Sequence, residues 1–165
     1  MSLEQDLRNL SIVPLFAELE PEARRLLAFS AETRILRAGD VVFLKGEPSD
    51  GGYVVLSGSI SLSLGNFGDR KEKVVLPFTL IGEIALISQT ERTVTATARE
   101  PSAVLKISRS LFHRILKEFP ESAVRIRGAI ATRLRDFSIE LEDSRRKIFV
   151  DVDSVDQSGL FNALH

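Results

Sequence analysis

GEIALISQTERTVTATA, residues 82–98, joins two kinds of sequence. Apolar residues stand at both ends, Ile84-Ala85-Leu86-Ile87 and then Val94-Thr95-Ala96-Thr97-Ala98. Between them lies a polar run from Ser88 to Thr93. A glycine–glutamate pair opens the stretch, and Arg92 interrupts it. The first apolar segment reads as a short helical turn with Glu83 at its start. Residues 94–98, rich in β-branched and small side chains, read as sheet.

Working outward, residues 33 to about 107 read as a succession of short strands. TRILRAGD, VVFLKGE, GYVVLSGSISLSL, KVVLP, VTATA and AVLKI are each short and β-branched. Turn signals separate them: Ala38-Gly39-Asp40, Gly46-Glu47-Pro48, Asp50-Gly51-Gly52, Ser57-Gly58 and Asn66-Phe67-Gly68-Asp69. SISLSL alternates, which predicts Ile60, Leu62 and Leu64 on one face. Many short strands at this spacing predict a sandwich or barrel of the jelly-roll kind, so the fold class is mainly β with flanking helices.

The flanks are helical. Val13, Leu15, Phe16 and Leu19 supply apolar positions before Pro21, where a second helix can begin with Leu26, Leu27 and Phe29 following. After the strands, Ser108 or Ser110 can cap a helix whose apolar face is Leu111, Phe112, Ile115, Leu116 and Phe119. Pro120 ends it and can start the next. From there Ile130, Leu134, Phe137, Leu141, Ser144 and Ile148 recur at alternating steps of four and three, and the register extends back to Arg127 and Ala123. That heptad seam predicts a long C-terminal dimerisation helix, about 121–148, and a homodimer. Packing of the seam on the chain's own β-roll is the plainer alternative. The expected organisation is one domain over 1–148, with the β-roll at about 33–107, and a short acidic-and-apolar tail at 149–165.

Bulk properties exclude several function classes. The net charge of −1 gives no global attraction to nucleic acid or anionic lipid. The chain has no cysteine, which removes disulfides, thiolate metal sites and cysteine nucleophiles, and fits a reducing cytoplasm. No apolar run is long enough to span a membrane. With two histidines a histidine-rich metal centre is not expected, and no nucleophile–base set points to catalysis.

The polar residues of 82–98 do suggest a chemistry. A carboxylate such as Glu83 accepts hydrogen bonds from a ribose hydroxyl. Backbone N–H groups at the start of a helical turn point at a phosphate. Arg92 adds a charge-assisted bond to that phosphate. On these residues the stretch resembles the phosphate-binding cassette of cyclic-nucleotide-binding domains, and it aligns with the glycine–glutamate–x–alanine–leucine opening and later arginine without gaps. Upstream, AGDVVFLKGEPSDGGYVVLSGSISLSL resembles the family's β-roll signature through Gly39-Asp40, Gly46-Glu47, Asp50 and Gly58. The resemblance covers about residues 12–147.

The resemblance implies roles residue by residue. Gly82 and Glu83 resemble the pair that meets the ribose 2′-hydroxyl. Ile84 and Ala85 form the turn, and Ala85 resembles a backbone donor to the cyclic phosphate. Arg92 resembles the ion partner of that phosphate, and Thr93 a second contact. The spacing into the long helix is similar to that of bacterial catabolite activators, in which Phe137 and Ser138 would cap the base and Arg133 would approach the pocket. Two departures stand out. LPFTLIGE carries no glycine before Gly82, where the family usually has a glycine-rich turn, and Val94 replaces a usual alanine. The short tail offers no helix-turn-helix, so no DNA partner is expected.

These features lead to the expectation of a sensor that binds cyclic AMP, or cyclic GMP, and repositions its C-terminal helix toward a downstream protein partner. A ligand-free dimerisation or interaction module on the same fold is the alternative.

Overall fold

The computed structural model describes residues 3–64 and 72–135. The chain divides into two compact units, Met1–Ile126 and Arg127–His165. In the first, three short helices, α1 (Leu3–Ile12), α2 (Pro14–Ala17) and α3 (Pro21–Ser30), precede eight strands. The strands are β1 (Glu32–Leu36), β2 (Val41–Phe43), β3 (Gly51–Ser57), β4 (Ile60–Ser63), β5 (Lys73–Val75), β6 (Leu80–Ile81), β7 (Thr95–Ala98) and β8 (Ser102–Ser108). A single 3-10 turn, Ile84–Leu86, lies between β6 and β7, and α4 (Arg109–Glu118) follows β8. A further helix, α5, is present over 120–126.

The strands form two four-stranded antiparallel sheets, in the orders β1-β8-β3-β6 and β2-β7-β4-β5. The predicted β-roll is therefore present. Its core takes Tyr53, Val55, Ile81 and Val104 from the first sheet and Phe43, Ile60, Val75, Ala96 and Ala98 from the second. The two-residue strand β6 was not expected, being too short to carry a periodicity. It exists because Tyr53 and Val54 pair with Ile81 and Leu80. The alternation expected for SISLSL fails in part. Ile60 is buried, but so are Ser61 and Ser63, while Leu64 lies past the end of β4 and is 52 % exposed. Small serines permit burial on both faces of a strand paired with both β5 and β7.

The helices make a second apolar cluster. Leu10, Val13, Leu15, Phe16, Leu19 and Leu27 are all buried, as are Phe112 and Ile115 of α4. The Phe16 and Phe112 rings sit 6.2 Å apart and tilted, which joins the N-terminal helices to α4. Pro21 opens α3, and Ser108 caps α4 by accepting from the Leu111 amide at 3.1 Å. The connection into α5 is pinned as well: the Ser122 hydroxyl accepts from the Glu20 amide, and Arg125 Nε donates to Glu18 O, both at 2.9 Å.

In the second unit, residues 127–135 are helical, and the Thr132 hydroxyl donates to Gly128 O at 2.9 Å. Of the expected seam, Ala123 in α5 and Ile130 are buried, Arg127 is exposed, and Leu134 is 45 % exposed. Phe137, Leu141, Ser144 and Ile148 lie outside the described residues, as do the Asn66–Asp69 turn and the 149–165 tail.

The turn between β5 and β6 is where the sequence lacks the expected glycine. The backbone adopts the glycine conformation anyway, at Phe78, with φ 65°. Two backbone bonds impose it: the Phe78 amide donates to Val55 O at 2.7 Å, and the Val55 amide donates to Thr79 O at 3.1 Å. A side chain in this region costs about 1–2 kcal/mol. Truncation of the ring should therefore rank in an unusual order. Phe78→Gly should be more stable than Phe78→Ala by about 1 kcal/mol, because only glycine relieves the φ strain. Paired urea denaturation curves check this, and an alanine variant equal to or above the glycine variant would contradict it.

Candidate functional site

The cassette is held by the loop before β3. The Gly46 amide donates to Arg92 O and the Arg92 amide to Glu47 O, both at 2.8 Å, and the Ser49 amide donates to Thr90 O at 2.7 Å. The Gly46-Glu47 turn signal and the end of the cassette thus form one short antiparallel ladder. At its other end the cassette enters through Gly82, whose φ is +82°. A Cβ on Gly82 would stand 2.8 Å from Arg92 Nη1. Glycine is required there twice, once by the backbone and once by the arginine lying against it.

Arg92 is 6 % exposed. Its Nη2 donates to Gly51 O at 2.8 Å and lies 3.7 Å from Asp50 Oδ1. The guanidinium carbon sits 4.2 Å from the centroid of the Phe43 ring and 5.7 Å from that of Tyr53, so the cation rests on aromatic faces supplied by both sheets. Nε is buried and has no hydrogen-bond partner among the described residues. Burial lowers the guanidinium's pKa, the nearby Arg109 charge pushes the same way, and Asp50 opposes them.

Glu83 precedes the turn and is half-buried. Within the turn the first backbone bond runs from the Leu86 amide to Glu83 O at 3.2 Å, followed by Ile87 and Ser88 to Ile84 O. The Ile84 and Ala85 amides therefore lie outside the turn's own hydrogen bonding, at the end where helical N–H groups emerge. Ala85 is buried, Ile84 is partly exposed, and Thr93 is exposed next to Arg92. The structure thus gathers Gly82, Glu83, Ile84, Ala85, Arg92 and Thr93 on one loop. Arg133 belongs to the second unit and is exposed on its helix, while Phe137 and Ser138 lie outside the described residues.

A turn of amides, a carboxylate beside it and a buried arginine with an unused donor fit an anionic ribose phosphate. The profile of the cyclic nucleotide-binding domain family matches residues 33–119, the span that holds all of these. The chain belongs to the cyclic nucleotide-binding domain family. It is similar to the cyclic AMP receptor protein of Thermus thermophilus, 29% identical over 131 residues, covering 78% of this chain and 61% of that protein. Among solved structures it is similar to a cyclic nucleotide-binding-like protein from Brucella abortus, with a TM-score of 0.60 and 43% identity over 68% of this chain and 97% of that one. It is also similar to the regulatory domain of Toxoplasma gondii PKA, crystallised with cAMP, with a TM-score of 0.63 and 26% identity over 70% of this chain and 45% of that one. The chain spans 61% of the Thermus relative and 9% of a Neurospora crassa lysophospholipase that carries a similar segment. Among the described residues no helix is long and apolar enough to cross a membrane, and no cluster of His, Asp or Glu suits a metal ion.

Several residues packed around Arg92 and Asp50 had no signal of their own in the sequence. Phe43 and Tyr53 read as ordinary strand aromatics, and Lys106 as a strand polar residue. Lys106 Nζ bonds Asp50 Oδ2 at 2.8 Å, and this bond is the main reason the Asp50 carboxyl is held below its ordinary pKa. A carboxylate with a depressed folded pKa contributes stability that is present above its unfolded pKa and is lost as pH falls through the folded one. The Asp50 contribution should therefore be intact near neutrality and disappear in acid, below about pH 4. Because the Asp50 side chain is 63% exposed, the effect should be small. The difference between wild type and Asp50→Asn in urea titrations should be largest at pH 7 and shrink as pH falls below about 4. A difference that grows in acid would refute this account.

Proposed function

We propose that this chain is a sensor whose cassette binds cyclic AMP, and which answers binding by repositioning its C-terminal helix. The observation that carries the reading is Arg92, a buried guanidinium with a donor to spare, lying against Gly82 on the loop that also holds a turn whose leading amides are outside the turn's own bonds. An anionic phosphate would meet those donors beside the buried Arg92, where charge-assisted bonds are stronger than in water. Glu83 would accept from the ribose hydroxyl. The preference for cyclic AMP is supported by the names of the Thermus receptor and the Toxoplasma complex. Thr93 leaves cyclic GMP as the competing ligand, since this exposed residue follows the cassette arginine and its hydroxyl could meet a guanine amino group.

In this reading the helical seam that includes Ile130 and Leu134 pairs two chains. Nucleotide and dimer then favour each other by the same factor, because coupling between binding events is reciprocal. One observation favours the alternative of a ligand-free scaffold: Arg92 donates to Gly51 O and stacks on Phe43, so the protein's own groups offset part of the cost of burying the guanidinium.

Calorimetric titration with cyclic AMP and cyclic GMP separates the two readings. Binding of either, tighter for cyclic AMP, is expected, and heat from neither would favour the scaffold. Arg92→Leu should weaken binding at least tenfold, from the loss of a charge-assisted bond of about 1.5–3 kcal/mol. Leu134→Asp should reduce both dimer formation and nucleotide affinity in sedimentation and titration experiments. A dimer constant indifferent to saturating nucleotide would remove the helix seam from the mechanism.

A further inference from the structure

Arg109, the first residue of α4, makes a set of bonds that the site as described does not use. Its Nε donates to Ala85 O at 2.9 Å. Its Nη2 donates to Ser49 O at 2.7 Å and to Ser49 Oγ at 2.9 Å. Its backbone amide donates to Asp50 O at 2.7 Å. Ser49 is buried, and its hydroxyl also accepts from the Thr90 amide and lies beside the Thr90 hydroxyl, each at 3.1 Å. One guanidinium therefore reaches both ends of the cassette, directly at Ala85 and through Ser49 at Thr90, two residues before Arg92.

We propose that Arg109 is a positioning residue for the cassette: its planar fork ties Ala85 to Ser49 and so fixes the direction of the amides and of Arg92 toward the ligand. This rests on the reading that the cassette binds a cyclic nucleotide. The chemistry follows from peptide geometry. Carbonyls emerge from one end of a helical turn and amides from the other. Arg109 engages a carbonyl of the turn, Ala85 O, which sets the rotation of that short turn and hence the aim of the Ile84 and Ala85 amides. A turn of three residues has too few internal bonds to hold that rotation alone. The fork matters more than the charge, because two acceptors on separate loops must be met at once from fixed directions. An ammonium at the end of a flexible stem is a point charge and does not hold that geometry.

The test uses the full chain, with Arg109→Met, Arg109→Lys and Ser49→Ala. Two readouts are taken: affinity for cyclic AMP by calorimetry, and hydrogen exchange of the Leu86, Ile87 and Ser88 amides in ligand-free protein, with the β4 amides as reference. Arg109→Met should lose about tenfold or more in affinity. Its cassette amides should exchange at least tenfold faster while those of β4 do not change. Arg109→Lys should behave like the methionine variant, and Ser49→Ala should fall between it and wild type. A lysine variant with wild-type affinity and exchange would reduce Arg109 to a charge and overturn the proposal, as would cassette exchange unchanged in both Arg109 variants. Should Arg109→Met melt below the working temperature, the lysine and serine variants carry the same comparison. If wild type binds neither cyclic AMP nor cyclic GMP, the ligand reading fails, and the exchange data still decide whether Arg109 holds the cassette.

Discussion

Taking a guanidinium out of water is expensive unless polar partners and π-faces replace the water it leaves. Arg92 meets that condition with a backbone carbonyl at 2.8 Å, two aromatic rings and a carboxylate at 3.7 Å. Asp50, Gly51 and Tyr53 come from the start of β3 and the residue before it, and Phe43 comes from β2. Phe43 lies on one sheet and Tyr53 on the other, with their centroids 5.9 Å apart, so the arginine closes over the joint between the sheets. Gly82 suits its left-handed φ of +82°, and the guanidinium lies against the space a side chain there would take. A group held this way is oriented before any ligand arrives, which reduces the ordering cost of binding.

The same arrangement explains why the loop before β3 is rich in special residues. Gly46, Glu47 and Ser49 exchange backbone bonds with Thr90 and Arg92, and Asp50 faces both Arg92 and Lys106. These residues frame the cassette as a second strand would, although neither segment is long enough to stand alone. The start of α4 completes the frame, through the Arg109 side chain and amide. The cassette is therefore an irregular loop whose polar backbone is largely accounted for by its neighbours.

The helices bear on the site through α4. Phe112 is buried against Phe16, and Ser108 and Arg109 stand at the junction of β8 and the helix. On the other side His113 Nε2 lies 3.2 Å from Ile87 O, at the end of the cassette turn. Displacement of α4 would thus disturb the packing of the N-terminal helices and the backbone of the cassette together. In a sensor these are the elements across which differential contacts can shift a population.

By itself the sequence determined the β class of the central segment, the helical flanks, a serine cap at the start of α4 and the Gly82–Thr93 stretch as the candidate cassette. These are local properties: side-chain period, glycine and proline positions and charge spacing act over a few residues. Only the tertiary structure decided that β6 exists, that Ser61 and Ser63 are buried while Leu64 is not, and that Phe78 takes a left-handed turn without a glycine. The partners of Arg92 and the bonds of Arg109 belong to the same class. Phe43, Gly51 and Tyr53 stand roughly forty residues or more before Arg92, and Ser49 stands sixty before Arg109. A side chain meets such neighbours only once the two sheets have closed, because sheet pairing, and not chain order, decides which loops lie together.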